Sequence, residues 1–117
     1  MRRLLIVAAL LAAVFSFGCW SHKQQFHTIV INKSGVPLHS IEVDYPGGTY
    51  GIEALPAGSS NHKWVFVSGP CTYHLRFVDG TGKQYSPKPI DISKGSCPPG
   101  ITLTVDSAMN VTAAATP

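Results

Sequence analysis

The chain has 117 residues, enough for one domain, and its charged fraction is only 13%. Two of the three net positive charges come from Arg2 and Arg3, because from Cys19 onward seven basic residues stand against six acidic ones. No basic cluster remains that could follow a phosphate backbone, so the composition argues against nucleic-acid binding.

The chain begins like an export signal. Arg2 and Arg3 precede an apolar run of fourteen residues, Leu4 to Phe17, which is interrupted only by Ser16. This length suits the hydrophobic region of a signal peptide and is short for a membrane-spanning helix. Because small residues stand at Ser16 and Gly18, we predict that residues 1–18 are a signal peptide cleaved after Gly18.

The four residues Ser16-Phe17-Gly18-Cys19 resemble the lipobox of bacterial lipoproteins, in which the cysteine becomes the lipidated first residue. That pattern usually has Leu and a small residue where this chain has Ser16 and Phe17. The resemblance implies lipidation at Cys19, and the absence of Asp after it implies retention at the outer membrane. The alternative is ordinary signal cleavage, which leaves a soluble exported protein with a free thiol at Cys19.

The chain contains three cysteines, Cys19, Cys71 and Cys97. In an exported chain two of them should pair and one is left over. We predict a disulfide between Cys71 and Cys97, which leaves Cys19 as the odd cysteine at the lipidation position. This bridge would stabilise a domain that is small for a single hydrophobic core.

After a tether at residues 19–25, the chain alternates in the manner of β-strands. In the clearest case Cys71, Tyr73, Leu75 and Phe77 share one face, which indicates a central half-buried strand. About seven short strands, turn signals every eight to twelve residues and no helical periodicity predict an all-β, immunoglobulin-like β-sandwich over residues 26–106. The predicted strands cover residues 26–32, 38–45, 50–54, 61–67, 71–79 and 101–106, with short pieces at 83–86 and 90–92.

Three finer expectations concern the arrangement of these strands. The strand at residues 26–32 is apolar on both faces near its centre, which predicts cover on both sides, and its edge has no protection against an added strand. The strand at 61–67 is expected to direct Trp64 and Phe66 inward. Residues 107–117 are small and polar, and we predict that they form a disordered tail.

Tyr45 and Tyr50 flank the turn Pro46-Gly47-Gly48 and are a candidate binding surface for a protein or a glycan. The alternative is ordinary packing at the ends of two strands.

No pattern of catalytic or metal-binding residues is present in the sequence. The five histidines lack the short spacings of a zinc site, and neither Cys71 nor Cys97 is followed by the His and Met of a blue-copper site. There is no Gly-x-Ser-x-Gly elbow and no phosphate-binding loop. Glu42 and Asp44 share one strand face, which is more typical of a solvated surface than of a calcium site. We expect no enzyme, no cofactor and no metal.

The turns at residues 32–35, 45–51 and 55–58 resemble those of small uncharacterised bacterial exported or lipoprotein domains. The resemblance implies a shared fold and does not identify any functional residue in this chain. Together these patterns predict an exported, lipid-anchored protein of the bacterial cell envelope, in the periplasm or at the outer membrane. It would act as a protein-binding or assembly module with an envelope protein as its partner. The alternatives are a passive structural lipoprotein and a periplasmic metal carrier.

Overall fold

The computed structural model describes residues 25–92 and 97–116, and these residues form two β-sheets packed face to face. The predicted all-β sandwich is therefore confirmed. Nine strands make up the two sheets, of which two are only two residues long. They are β1 (Gln25–Asn32), β2 (Leu38–Tyr45), β3 (Gly48–Leu55), β4 (Ser60–Phe66), β5 (Thr72–Asp79), β6 (Gln84–Tyr85), β7 (Ile90–Asp91), β8 (Gly100–Val105) and β9 (Val111–Ala115).

The first sheet has the strand order β4-β1-β8-β9, and the second has the order β3-β2-β5-β6 with β7 also paired to β5. Neighbouring strands are antiparallel except β1 and β8, which run parallel. β5 lies inside the second sheet, as its alternation predicts, and its residues Tyr73, Leu75 and Phe77 are buried. The core lies between the sheets and also contains Val30, Leu38, Ile41, Val43, Ile52, Leu55, Ile101, Leu103 and Val105.

The predicted disulfide between Cys71 and Cys97 is present, with the two Cα atoms 5.1 Å apart. It joins the residue before β5, in the second sheet, to the segment that leads into β8, in the first. The carbonyl of Cys71 also accepts a 2.9 Å hydrogen bond from the backbone N–H of Ile92. The bridge therefore fastens the two sheets to each other at one end of the sandwich.

A buried asparagine fastens the opposite end. The side-chain amide of Asn32 donates to the carbonyls of Val36 and Leu55, at 2.8 and 2.9 Å. Its oxygen accepts from the backbone N–H and the hydroxyl of Ser34. One side chain thus satisfies polar groups of the turn after β1 and of the last residue of β3, and three of its four hydrogen bonds are buried.

The prediction that residues 107–117 are a disordered tail is wrong for the part that the structure describes, residues 107–116. The chain turns back after β8, with a hydrogen bond from the N–H of Asp106 to the carbonyl of Asn110, and then forms β9 beside β8. Val111 and Ala113 pack against the core. Small side chains are compatible with this position, because backbone pairing with β8 holds the strand. The domain therefore extends past residue 106.

Candidate binding surface

The outward face of β4 carries large aromatic side chains. Trp64 is 59% exposed and Phe66 51%, whereas Val65 is buried. The prediction that Trp64 and Phe66 point inward is therefore wrong, because the inward side chain is that of Val65, which lies between them. Four consecutive apolar residues, Trp64 to Val67, do not indicate which of them face inward, and only the pairing with β1 decides this.

β1 contributes the neighbouring row of this face. Thr28 and Val30 are buried, while Ile29 and Ile31 are half-buried on the outer side. The expectation of cover on both faces of β1 is thus wrong, because the second sheet covers only one of them. The side chains on the outer face of β1 and β4 form one surface, which we call the outer aromatic patch. It consists of His27, Ile29, His62, Trp64 and Phe66.

The patch is ordered by contacts among its own side chains. The rings of His27 and Trp64 stack with centroids 4.5 Å apart and an interplanar angle of 11°. Nε2 of His27 lies 3.1 Å from Nδ1 of His62, and Nε2 of His62 lies 3.3 Å from the Ser60 hydroxyl. These contacts hold the Trp64 indole in place while it remains exposed, so the patch is prepared for a partner with apolar surface.

Sequence spacing does not reveal the histidine pair, since His27 and His62 are 35 residues apart. Their strands bring them together, because β1 pairs with β4 and places Ile29 opposite His62. No group of three or more His, Cys, Asp or Glu side chains that could hold a metal ion occurs within residues 25–92 and 97–116.

β9 is an edge strand with one open side. The hydrogen bonds that close the β8–β9 hairpin are Asp106 N–H to Asn110 and Thr116 N–H to Gly100, and antiparallel bonding alternates between them. The N–H and C=O groups of Val111, Ala113 and Ala115 therefore point away from β8. In the described part of the chain no strand pairs with this side.

The expectation of an open edge at residues 26–32 is wrong, because β4 and β8 pair with the two sides of β1. The edge strands of this sheet are instead β4 and β9. β4 contains the charged Lys63, whereas β9 contains neither a charged residue nor a proline to discourage an added strand. Sequence reasoning missed β9 because it assigned these residues to a tail.

The structure brings Tyr45 and Tyr50 together, with ring centroids 5.9 Å apart. Both are half-buried and pack against the core, and the Lys63 ammonium lies 5.9 Å from the centre of the Tyr50 ring. Burial, with the neighbouring Tyr73 and Tyr45, raises the pKa of Tyr50. The two rings therefore pack the end of the sandwich and leave only part of their surface to a ligand.

The outer face of the second sheet carries charges that pair with one another. The Arg76 guanidinium lies 2.5 Å from Glu42 and 3.3 Å from Asp44, and His74 lies 3.3 Å from Asp44. Burial raises the pKa of Asp44, but hydrogen bonds from Thr49 and His74 and the charge of Arg76 outweigh it and lower that pKa. Arg76 thus forms an ion pair with each carboxylate, although its single positive charge balances only one of the two negative charges.

The signal segment and Cys19 lie outside the described residues, so the predicted cleavage and lipidation remain predictions. Residues 25–92 and 97–116 include no helix of the length and apolarity needed to cross a membrane.

The chain matches no family model and no curated protein. Its structure is similar to an NMR structure of a protein from Eubacterium rectale, with a TM-score of 0.58 and 13% sequence identity. The similarity covers 81% of this chain and 91% of the other. At this level of identity the comparison shows a shared fold and carries no function from one protein to the other.

Proposed function

We propose that this protein is an exported, lipid-anchored binding module of the bacterial cell envelope. It works by contact with another envelope protein and not by catalysis. The observation that carries the proposal is the open side of β9, where Val111, Ala113 and Ala115 present unpaired backbone groups within the described structure. An extended segment of a partner would add to the first sheet at this edge.

Several properties of β9 favour an added strand. The ladder to β8 uses the backbone of Thr112 and Ala114, so an incoming strand would not compete with it. The side chains of Val111 and Ala113 face the core and do not obstruct the edge. The hairpin with β8 and the Thr102–Thr116 hydroxyl contact of 2.7 Å fix the strand before a partner arrives, which reduces the entropy lost on binding.

The export and lipid anchor in this proposal are supported by residues 1–19 of the sequence. The disulfide between Cys71 and Cys97 adds support, because such bridges persist in oxidising compartments outside the cytosol. It also leaves Cys19 as the one cysteine without a partner in this pairing.

The test is cross-linking in the native host with a photo-reactive side chain at Thr112, which is exposed on β9. We expect a cross-link to an envelope protein, and we expect Ala113→Pro to abolish it. Proline removes the outward N–H at residue 113, and an edge strand tolerates this loss because the ladder to β8 does not use that group.

The matched control is Ala113→Ser, which keeps the N–H at the same position and should retain the cross-link. Both variants must show the unfolding transition of the parent chain. A cross-link that persists in folded Ala113→Pro would contradict strand addition, and the absence of any protein cross-link would favour a passive structural lipoprotein.

A metal carrier is the second candidate, and the His27–His62 pair favours it. Two nitrogen ligands about 2.0–2.1 Å from one tetrahedral zinc ion stand about 3.3 Å apart. These two nitrogens are 3.1 Å apart, so a small widening of the pair would admit the ion. Untagged protein that retains zinc or copper after dialysis, and loses it in the His62→Ala variant, would support this function. Metal-free protein would rule it out.

A further inference from the structure

The exposed rings of β4 lie at the end of the sandwich where the chain enters it. Gln25, the first residue of β1, is the pairing partner of Phe66, and His27 is the partner of Trp64. The outward aromatic side chains therefore stand beside the point that the N-terminal tether must reach.

That tether is short if the proposed lipid is attached at Cys19. Six residue steps separate Cys19 from Gln25, and a fully extended chain spans at most about 3.3–3.6 Å per residue. Gln25 would thus stand within about 20 Å of the lipidated residue, and Phe66, one strand spacing away, within about 25 Å. Trp64 lies about 7 Å farther along its strand. The anchor holds this corner of the domain close to the bilayer surface.

The chemistry of the two rings suits the interfacial layer of a bilayer. Tryptophan combines a large apolar ring system with one N–H donor, and it is enriched where hydrocarbon meets lipid headgroups. Trp64 and Phe66 are more than half exposed, so each has apolar surface left to bury. No acidic residue occurs in β4 to repel a membrane that carries negative charge.

The size of the corner favours a bilayer over a protein as its occupant. Aromatic side chains bury about 150–250 Å² each, so two rings offer well under the roughly 800 Å² per partner of a stable protein interface. A ring pair of this size is sufficient to orient a domain that a lipid already holds at the surface.

We infer that Trp64 and Phe66 insert into the interfacial layer of the bilayer to which Cys19 is anchored. This inference rests on the lipid anchor of the proposed function. The contact orients the domain with the β4 edge at the membrane. It leaves β9, three strand spacings or about 14 Å away across the sheet, open to a partner.

The experiment uses the Trp20→Phe variant of the full chain, in which Trp64 is the single tryptophan. The protein is isolated from the membranes of its host, and its intact mass reports the lipid at Cys19. It is then reconstituted into vesicles of phosphatidylethanolamine and phosphatidylglycerol that contain brominated lipids. We expect Trp64 emission at shorter wavelength than in a released, lipid-free chain, with stronger quenching by bromines near the headgroups than by bromines deep in the acyl chains.

The matched control moves the indole to the far end of the same sheet, in a Trp20→Phe, Trp64→Phe, Thr112→Trp chain. Thr112 is exposed on β9, and its indole should escape quenching. Unquenched Trp64 in a chain whose mass includes the lipid would overturn the bilayer contact and leave the anchor intact. A bare chain without the lipid mass would overturn both. A photo-reactive residue at Phe66 that cross-links to a protein or to a second copy, and not to lipid, would also overturn the contact.

Discussion

The side-chain amide of Asn32 donates a 2.9 Å hydrogen bond to the backbone carbonyl of Leu55, and this bond joins the two sheets of the sandwich. Asn32 is fully buried at the end of β1, and Leu55 ends β3. The same side chain holds Ser34 and Val36 in the turn that follows. Asn32 therefore stabilises the turn in which the chain passes from β1, in the first sheet, to β2, in the second.

We therefore expect Asn32→Ala to be strongly destabilising. It would remove the side-chain partner of the buried Leu55 carbonyl and of the buried Ser34 N–H, at a cost of about 1–3 kcal/mol for each group that water does not reach. Urea unfolding should show a loss of at least about 2 kcal/mol. Asn110→Ala, at an exposed asparagine, is the control and should change stability little. Equal stability of the two variants would contradict the role of Asn32.

The register of β4 predicts unequal losses of stability when two neighbouring residues are replaced by alanine. Val65→Ala removes two buried methyl groups and should cost about 1.5 kcal/mol or more. Phe66→Ala removes a ring that is half in solvent and should cost less, although the ring is much larger. Thermal or urea unfolding of both variants measures the order. A larger loss for Phe66→Ala would show that the ring belongs to the core.

The disulfide should contribute strongly to stability. It closes a loop with a sequence separation of 26 residues, for which the chain-entropy model gives about 3–4 kcal/mol. The double variant Cys71→Ala, Cys97→Ala should unfold at a correspondingly lower urea concentration. Cys19→Ala is the control, since it leaves the bridge intact and should unfold like the parent chain. A stable double variant would show that the core suffices without the bridge.

Asp79 should make stability fall in acid. A hydrogen bond from the Thr81 hydroxyl, together with backbone bonds from Thr81 and Lys83 and one from the Tyr85 hydroxyl, lowers the pKa of Asp79 to about 2. Because the folded state favours the ionised carboxylate, this contribution is complete above the unfolded pKa of about 3.9. It is lost as the pH falls toward 2.

The measurement is urea unfolding of the parent chain and of Asp79→Asn between pH 2 and pH 6. The stability difference between the two chains should be larger at pH 6 than at pH 2. Glu53→Gln, at an exposed carboxylate, controls for the loss of one charge. A difference that does not depend on pH would contradict the linkage.

Much of the fold follows from local pattern. The period-2 alternation of Tyr73, Leu75 and Phe77 predicted a central strand, and the structure buries all three. Glycine and proline placed the turns, since the turn at Gly47 requires a φ of 99° that other residues rarely adopt. The disulfide followed from the cysteine count together with the prediction that the chain is exported. Each of these inferences depends only on residues near in sequence or on composition.

The sequence by itself determined that this is an all-β sandwich with a disulfide between Cys71 and Cys97. Only the tertiary structure decided which side chains face water and which edge is open. The orientation of Trp64 depends on the register between β4 and β1, and the order of residues 111–115 depends on pairing with β8. Strand pairing is a long-range interaction, and a shift of one residue in register moves every side chain of a strand to the other face of the sheet. No local pattern could therefore predict which side chains form the exposed surface.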